Sequence, residues 1–314
     1  MVECMRSNCG QRMSADYYGV SMISVKEYAY AKINLYLDVL SKRDDGFHEV
    51  KTVMHTVSLC DDVTVSVKPS SRPSVKLTVI GHSKLPTDSR NLAVKAAELF
   101  LESTLKNAEV NIRLIKRIPV SAGLAGGSTD AAAVLRALNK AFKRPLSDKR
   151  LLELAAELGS DVPYCLVGGT ALCYGRGERV ERLLGRLHLY TVVAVSGEHV
   201  STPTAYAELD RLYSDFTCER DGEHTSSLDA ILSAISSADK AEIKLYNIFE
   251  NAILPIYNGA EMIKKRMIEL GADHALMSGS GPSVYGIFRD RASAESARDH
   301  FIKNGIRAYY AESV

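Results

Sequence analysis

Pro119-Val120-Ser121-Ala122-Gly123-Leu124-Ala125-Gly126-Gly127-Ser128-Thr129-Asp130-Ala131-Ala132-Ala133 separates a strand-like run from a strongly helical one. Three glycines let the backbone approach a ligand closely and adopt positive φ. A helix starting at their end offers unsatisfied N–H groups and the positive end of its dipole, an arrangement suited to phosphate. Ser128 and Thr129 add hydroxyls that can meet phosphate oxygens or a metal ion. No Lys-Ser/Thr follows the glycines, so this is not a Walker A loop, and it is not Gly-x-Gly-x-x-Gly. The same stretch also reads as a tight strand-to-helix turn whose small residues serve packing alone.

On either side the periodicity alternates between strand and helix. Val63, Val65 and Val67 alternate with polar residues, as do Val75, Leu77 and Val79, and Pro69–Pro73 between them is turn-rich. This predicts a half-buried antiparallel hairpin. Tyr28–Leu40 and Val110–Leu114 read as further strands, and helices are expected near 91–103, 129–143 and 148–158. The pattern restarts near Leu189 with a strand and continues with helices near 203–213, 226–237, 257–270 and 292–303. Glu219–Ser227 reads as a polar surface loop, and apolar runs at Ala275–Met277 and Val284–Phe288 flank a Gly-Ser-Gly turn. Strands grouped apart from helices, with hairpins, argue for an α+β fold.

The chain has 314 residues, 46% hydrophobic and 25% charged, and at roughly 150 residues per domain that length predicts two domains. The division expected is an extension over 1–22, a first domain over 23–185 and a second over 186–314. With 39 basic and 38 acidic side chains the net charge is +1. No general field draws in nucleic acid or an anionic membrane, and no apolar stretch of about 18 residues is long enough to span a bilayer. None of the six cysteines stands in a C-x-x-C pair or in a zinc-like spacing, so reduced thiols in the cytoplasm are expected. The first 22 residues precede any periodic pattern and contain four methionines and no apolar h-region. They read as a disordered extension, and the acidic Glu3 and Asp16 argue against an organelle transit peptide.

Five segments, in order from about residue 26 to the end, resemble the superfamily of galactokinase, homoserine kinase, mevalonate kinase and phosphomevalonate kinase, the GHMP kinases. They are Ala31-Lys32-Ile33-Asn34-Leu35, Arg43-Asp44-Asp45-Gly46-Phe47-His48, the glycine loop, Gly159-Ser160-Asp161-Val162-Pro163, and Met277-Ser278-Gly279-Ser280-Gly281-Pro282. The extended loop is most similar to the branch that phosphorylates a cytidine-diphosphate-linked sugar alcohol in the non-mevalonate isoprenoid pathway. The resemblance implies a two-domain α+β GHMP kinase fold. Its N-terminal domain would be like ribosomal protein S5 domain 2, its C-terminal domain ferredoxin-like, and substrates would meet in the cleft between them.

ATP and Mg2+ are the cofactors implied, and the partner is that small-molecule substrate, with no nucleic acid, no membrane, and a monomer or weak homodimer as the assembly. Asp161 is implied as the general base and Lys32 as the orienting cation. Pro119, Ser121, Gly123, Leu124, Ala125, Gly126, Gly127, Ser128, Thr129 and Asn91 would bind the nucleotide, with Ser128 or Thr129 toward the metal. Asn34, Phe47, His48, Gly279, Ser280 and Gly281 would bind the substrate, Phe47 and His48 at its cytosine. The family often carries Tyr where this chain has Phe47, which keeps the stacking and removes any hydroxyl role. Read without the resemblance, Asp161 is a helix cap, Lys32 a surface lysine, His48 a packed histidine and the Gly-Ser-Gly turn a plain hairpin. Another kinase of the superfamily, of homoserine or mevalonate type, or a nucleotide-binding regulator without catalysis, are the alternative functions.

Overall fold

In the computed structural model, which describes residues 12–14, 22–185, 187–213, 223–239 and 243–314, alternation and its failure mark the first strands. The first half of the chain forms β1 (Arg12–Ser14), β2 (Met22–Lys42), β3 (His48–Pro69), β4 (Ser74–Ile80), α1 (Leu92–Thr104), β5 (Ala108–Ile115), α2 (Gly126–Ala141) and α3 (Asp148–Leu158). Next come α4 (Val162–Val167), β6 (Thr170–Gly175), β7 (Arg179–Arg182), β8 (Tyr190–Val195), α5 (Thr202–Leu212), α6 (Glu223–Ser237) and β9 (Tyr246–Asn247). The remainder is α7 (Phe249–Ile253), α8 (Asn258–Glu269), β10 (His274–Met277), β11 (Ser283–Phe288), α9 (Arg291–Lys303) and β12 (Arg307–Glu312). The expected disorder of residues 1–22 falls outside the described residues, apart from β1 and Met22.

The chain resolves into two compact units. One comprises the chain up to Ala29, Asp61–Lys116 and Asp130–Leu158. The other comprises Tyr30–Cys60, Arg117–Thr129 and Gly159–Val314.

In the first unit Val63, Val65 and Val67 point inward while Thr64, Ser66 and Lys68 alternate outward. The expected hairpin with β4 does not form. β5 lies between the two, antiparallel to β3 (Val65 opposite Ile112) and parallel to β4 (Leu77 opposite Ile112). The reason is burial: β5 sinks Val110, Ile112 and Leu114, whereas β4 buries only Leu77. The more apolar strand takes the position hydrogen-bonded on both sides, and the more exposed one takes the edge. Asn91 caps α1, its Oδ1 accepting the Ala93 N–H at 3.0 Å. Lys116, Asp61 and Asp130 form a buried ion cluster, the ammonium lying 2.5 Å from one carboxylate and 2.6 Å from the other.

In the second unit β2 is buried continuously from Ala31 to Val39. A strand covered on both faces loses its alternation, so Lys32, Asn34 and Asp38 are buried among apolar neighbours. β3 pairs antiparallel with β6, β6 with β7, and β9 runs parallel to β2. The segment Thr170–Arg182 escapes the sequence reading because its strands are short and lack a clear period. A second sheet has the order β10-β11-β8-β12, all neighbours antiparallel. Val192, Ala194, Val284 and Phe288 of that sheet share a core with Ile263, Met267, Ala297 and Phe301 of α8 and α9. The loop expected through Ser227 is helical from Glu223, because α6 starts earlier than its apolar residues suggest; residues 214–222 lie outside the described set.

His55 is wholly enclosed in this unit, hydrogen-bonded to Thr170 Oγ1 at 2.8 Å and Ser313 Oγ at 2.7 Å. Burial, assisted by the nearby His188, pushes its imidazole down to about 4. Between the unfolded value and that one, the unfolded chain binds the extra proton, so stability is lost as pH falls from about 6.5 toward 4. The loss is about 3 kcal/mol at full protonation. Urea unfolding at pH 7 and pH 4.5 should show a clearly smaller acid loss for His55→Gln than for the parent, and equal losses would contradict this origin.

Candidate active site

The site grows from Lys32. Its strand places Lys32 and Asn34 two residues apart and therefore on one side. Lys32 Nζ donates to Asn34 Oδ1 at 2.7 Å, and Asn34 Nδ2 donates to Thr52 Oγ1 at 2.8 Å. The Thr52 hydroxyl in turn donates to the Tyr36 carbonyl at 2.6 Å. A side chain so held has little rotamer freedom left, and a lysine at 4% exposure is far from the surface reading.

Asp161 stands 3.9 Å from the Lys32 ammonium. It occupies the N-cap position of α4, yet its side chain makes no capping hydrogen bond, and Pro163 in the first turn removes one donor it would have served. Its carboxylate is about one-third exposed. A buried ammonium beside a reachable carboxylate can orient a hydroxyl and take its proton.

The glycine loop meets this pair through backbone. Lys32 N–H donates to the Leu124 carbonyl at 3.2 Å. Ser121, Gly123 and Ala125 all have positive φ (55°, 72° and 57°). Left-handed conformation at every second residue is costly for Ser and Ala. Alternating φ of this kind turns successive N–H groups toward a common concavity that suits an anion. Gly126 opens α2, with Ser128 half-buried and Thr129 buried in its first turn. Pro119 and Leu124 are buried and anchor the loop.

The C-terminal glycine turn packs against the first loop. Ser278 Oγ donates to the Gly123 carbonyl at 3.1 Å, and Ser283 Oγ donates to the Ala122 carbonyl. Gly279 is so close that a Cβ on it would stand 3.1 Å from the Gly123 oxygen and 3.4 Å from Lys32 Nζ. Ser280 Oγ lies 3.2 Å from Thr202 Oγ1, and Gly281 has a φ of 81°. Asn247 fixes this turn from beneath, donating to the Met277 and Gly279 carbonyls at 2.7 and 2.8 Å.

His48 and Phe47 behave differently from each other. Phe47 is half-exposed, with the Arg176 guanidinium 4.7 Å from its ring centroid. His48 is buried, its Nε2 2.7 Å from Asp210 Oδ1. Asn91 lies in the other unit, and the contacts of its side chain are those of a cap together with a hydrogen bond to the Pro86 carbonyl.

Several residues of the site carry no motif signal. Asp210, Tyr206, Asn247 and Thr52 lie in ordinary helix or strand text, and only the fold reveals their contacts. Lys116 and Asp130 bracket the glycine loop in sequence and meet in the buried cluster. Burial, with the neighbouring Asp61 and against the attraction of Lys116, raises the Asp130 carboxyl above its ordinary value. Glu250 holds Lys264 at 2.5 Å and accepts the Met277 N–H.

Comparison with known proteins gives the family. The GHMP kinases N terminal domain matches residues 91–169, and the GHMP kinases C terminal domain matches 243–307. A 4-diphosphocytidyl-2-C-methyl-D-erythritol kinase of Gloeobacter violaceus is 43% identical over 279 residues, covering 88% of this chain and 89% of its own. The protein of the same name from Bacillus velezensis is 40% identical, with 91% and 93% covered. A crystal structure of 4-(cytidine 5'-diphospho)-2C-methyl-D-erythritol kinase matches with a TM-score of 0.75 at 32% identity, covering 92% of this chain and 98% of that one. Homoserine kinase from Cytophaga hutchinsonii, at 22% identity and a TM-score of 0.70, shares the fold.

Proposed function

Because the chain belongs to the GHMP kinases, and among them to the 4-diphosphocytidyl-2-C-methyl-D-erythritol kinases, we propose that it phosphorylates the 2-hydroxyl of 4-diphosphocytidyl-2-C-methyl-D-erythritol with ATP, in the non-mevalonate route to isoprenoid precursors. The observation that carries this reading is the Lys32–Asp161 pair, 3.9 Å apart beside the glycine loop.

Phosphoryl transfer asks for alignment and charge neutralisation more than for covalent help. In our reading Asp161 accepts the proton of the 2-hydroxyl as its oxygen bonds the γ-phosphorus, and the bond to the leaving ADP oxygen breaks. Lys32, fixed by Asn34, orients the hydroxyl and offsets developing negative charge. The loop from Pro119 through Ser121, Gly123, Leu124 and Ala125 to Gly126 and Gly127 surrounds the phosphates with N–H groups, and Asn91 serves the adenine side. Gly279, Ser280 and Gly281 cover the transferring group, and Phe47 and His48 receive the cytosine. The hydroxyls of Ser128 and Thr129 are hard oxygen donors that suit Mg2+, and that ion, when bound, supplies shielding of the phosphate oxygens.

The domains proposed, 23–185 and 186–314, have the two family matches on either side of their boundary. The cytoplasm is the compartment proposed, on the cysteine spacing; among the described residues no helix is long and apolar enough to cross a membrane.

A substrate panel tests the proposal. ADP release is expected with the cytidyl substrate and not with homoserine or mevalonate. Turnover of either of those, with the cytidyl compound untouched, would overturn it.

A further inference from the structure

A directed chain of hydrogen bonds ends at the Lys32 ammonium. An ammonium can donate and cannot accept, so the Asn34 atom that faces it is the carbonyl Oδ1. The amide nitrogen therefore points at Thr52, whose oxygen accepts. The hydrogen of that hydroxyl goes to the Tyr36 carbonyl, which cannot donate. A pure donor at one end and a pure acceptor at the other leave one orientation for the amide between them. Lys32, Asn34 and Thr52 are all buried. The backbone beneath them is pinned separately. Lys32 N–H donates to the Leu124 carbonyl at 3.2 Å, and the buried Tyr285 hydroxyl donates to the Asn34 carbonyl at 2.8 Å. What the side-chain relay restrains is the ammonium at the end of its long stem.

That restraint works against an attraction. An ammonium and a carboxylate free to meet settle at about 2.8 Å. Lys32 Nζ instead stands 3.9 Å from Asp161 Oδ2, and its short bond, at 2.7 Å, is to Asn34 Oδ1. Direct contact would engage a carboxylate oxygen with the lysine. The gap leaves that oxygen to a hydroxyl. We propose that Thr52 is a positioning residue: by fixing the Asn34 amide it holds Lys32 off Asp161 and keeps the carboxylate open to the hydroxyl that is phosphorylated. The inference rests on the reading of Lys32 and Asp161 as the pair that handles that hydroxyl.

Thr52→Val tests it, because valine keeps the branched shape and removes the hydroxyl. The Asn34 amide loses its acceptor and turns, and Lys32 closes on Asp161. With the cytidyl substrate, kcat should fall about tenfold, the worth of one hydrogen bond. KM for ATP should stay within about twofold. Thr52→Ser returns the hydroxyl without the methyl and should restore kcat to within about twofold of the parent. Thr52→Ala, smaller and free of any clash, should behave as Thr52→Val. The double variant Thr52→Val/Asn34→Ala should be no slower than Asn34→Ala alone, because the threonine acts through the amide. A crystal structure of Thr52→Val gives a readout independent of turnover, with the ammonium and carboxylate expected in contact at about 2.8 Å. Parental kcat in the valine and alanine variants, a serine variant as slow as they are, additive losses in the double variant, or a gap still at 3.9 Å overturns the proposal. A parent that fails to phosphorylate the cytidyl substrate would instead overturn the functional reading on which it rests.

Discussion

Replacing Asp161 by Asn lowers kcat about a thousandfold while the dissociation constant for ATP stays within about threefold, the range expected for loss of a general base. The amide is isosteric with the carboxylate, so packing at the start of α4 is kept. Asp161 makes no capping hydrogen bond, and no helix end is left unsatisfied by the change. What disappears is the charged acceptor placed 3.9 Å from Lys32. Single-turnover ADP formation gives the chemical step, and calorimetric titration gives the nucleotide affinity. Near-parental turnover would remove Asp161 from the chemistry. A matching loss of ATP affinity would make it a structural residue instead.

Gly123→Ala carries the second large effect, and here stability and catalysis fail together. Gly123 has a φ of 72°, which costs an alanine about 1 kcal/mol by itself. Its added Cβ also collides with the Ser278 carbonyl oxygen, a backbone atom that cannot swing aside. The two loops must separate, breaking the Ser278–Gly123 hydrogen bond and moving the Leu124 carbonyl off Lys32 N–H. The expected cost is about 3 kcal/mol in unfolding free energy and about a hundredfold in kcat/KM for ATP. Gly305→Ala is the control. Its φ is 77° and nothing lies within 4 Å of the new methyl, so only the backbone term of about 1 kcal/mol should appear. Denaturant unfolding of both variants separates collision from conformation. Equal losses would show that the loop contact contributes nothing.

The glycine loop, the strand of Lys32 and the turn before His48 are legible in the sequence because each is a local requirement. A residue must have no Cβ, or must alternate, or must precede a helix. Asp161 was legible as a residue but ambiguous as a function, since a polar residue before Val162-Pro163 fits a cap equally well. The missing cap bond and the distance to Lys32 are what support the catalytic reading. Tyr206 and Asp210 were not legible, because the four-residue spacing that makes them partners of His48 is common to every amphipathic helix. The pairing of β4 with β5 was hidden for a related reason. Alternation states which face of a strand is buried and is silent about its neighbour, so proximity in sequence suggested a hairpin that the burial of Val110, Ile112 and Leu114 overrules. Asn247 is the extreme case, a single amide whose importance lies in two carbonyls thirty and thirty-two residues away.

The contact of Ser278 with Gly123 has a consequence for how the protein is made. Its two residues are 155 positions apart, so the glycine loop leaves the ribosome long before the turn that packs on it exists. The first unit, whose last segment ends at Leu158, can close while the remainder is still being translated. The Gly123 and Ala122 carbonyls of that loop meet Ser278 and Ser283 only afterwards. A nascent chain can therefore hold that unit before the contact between the two loops has formed.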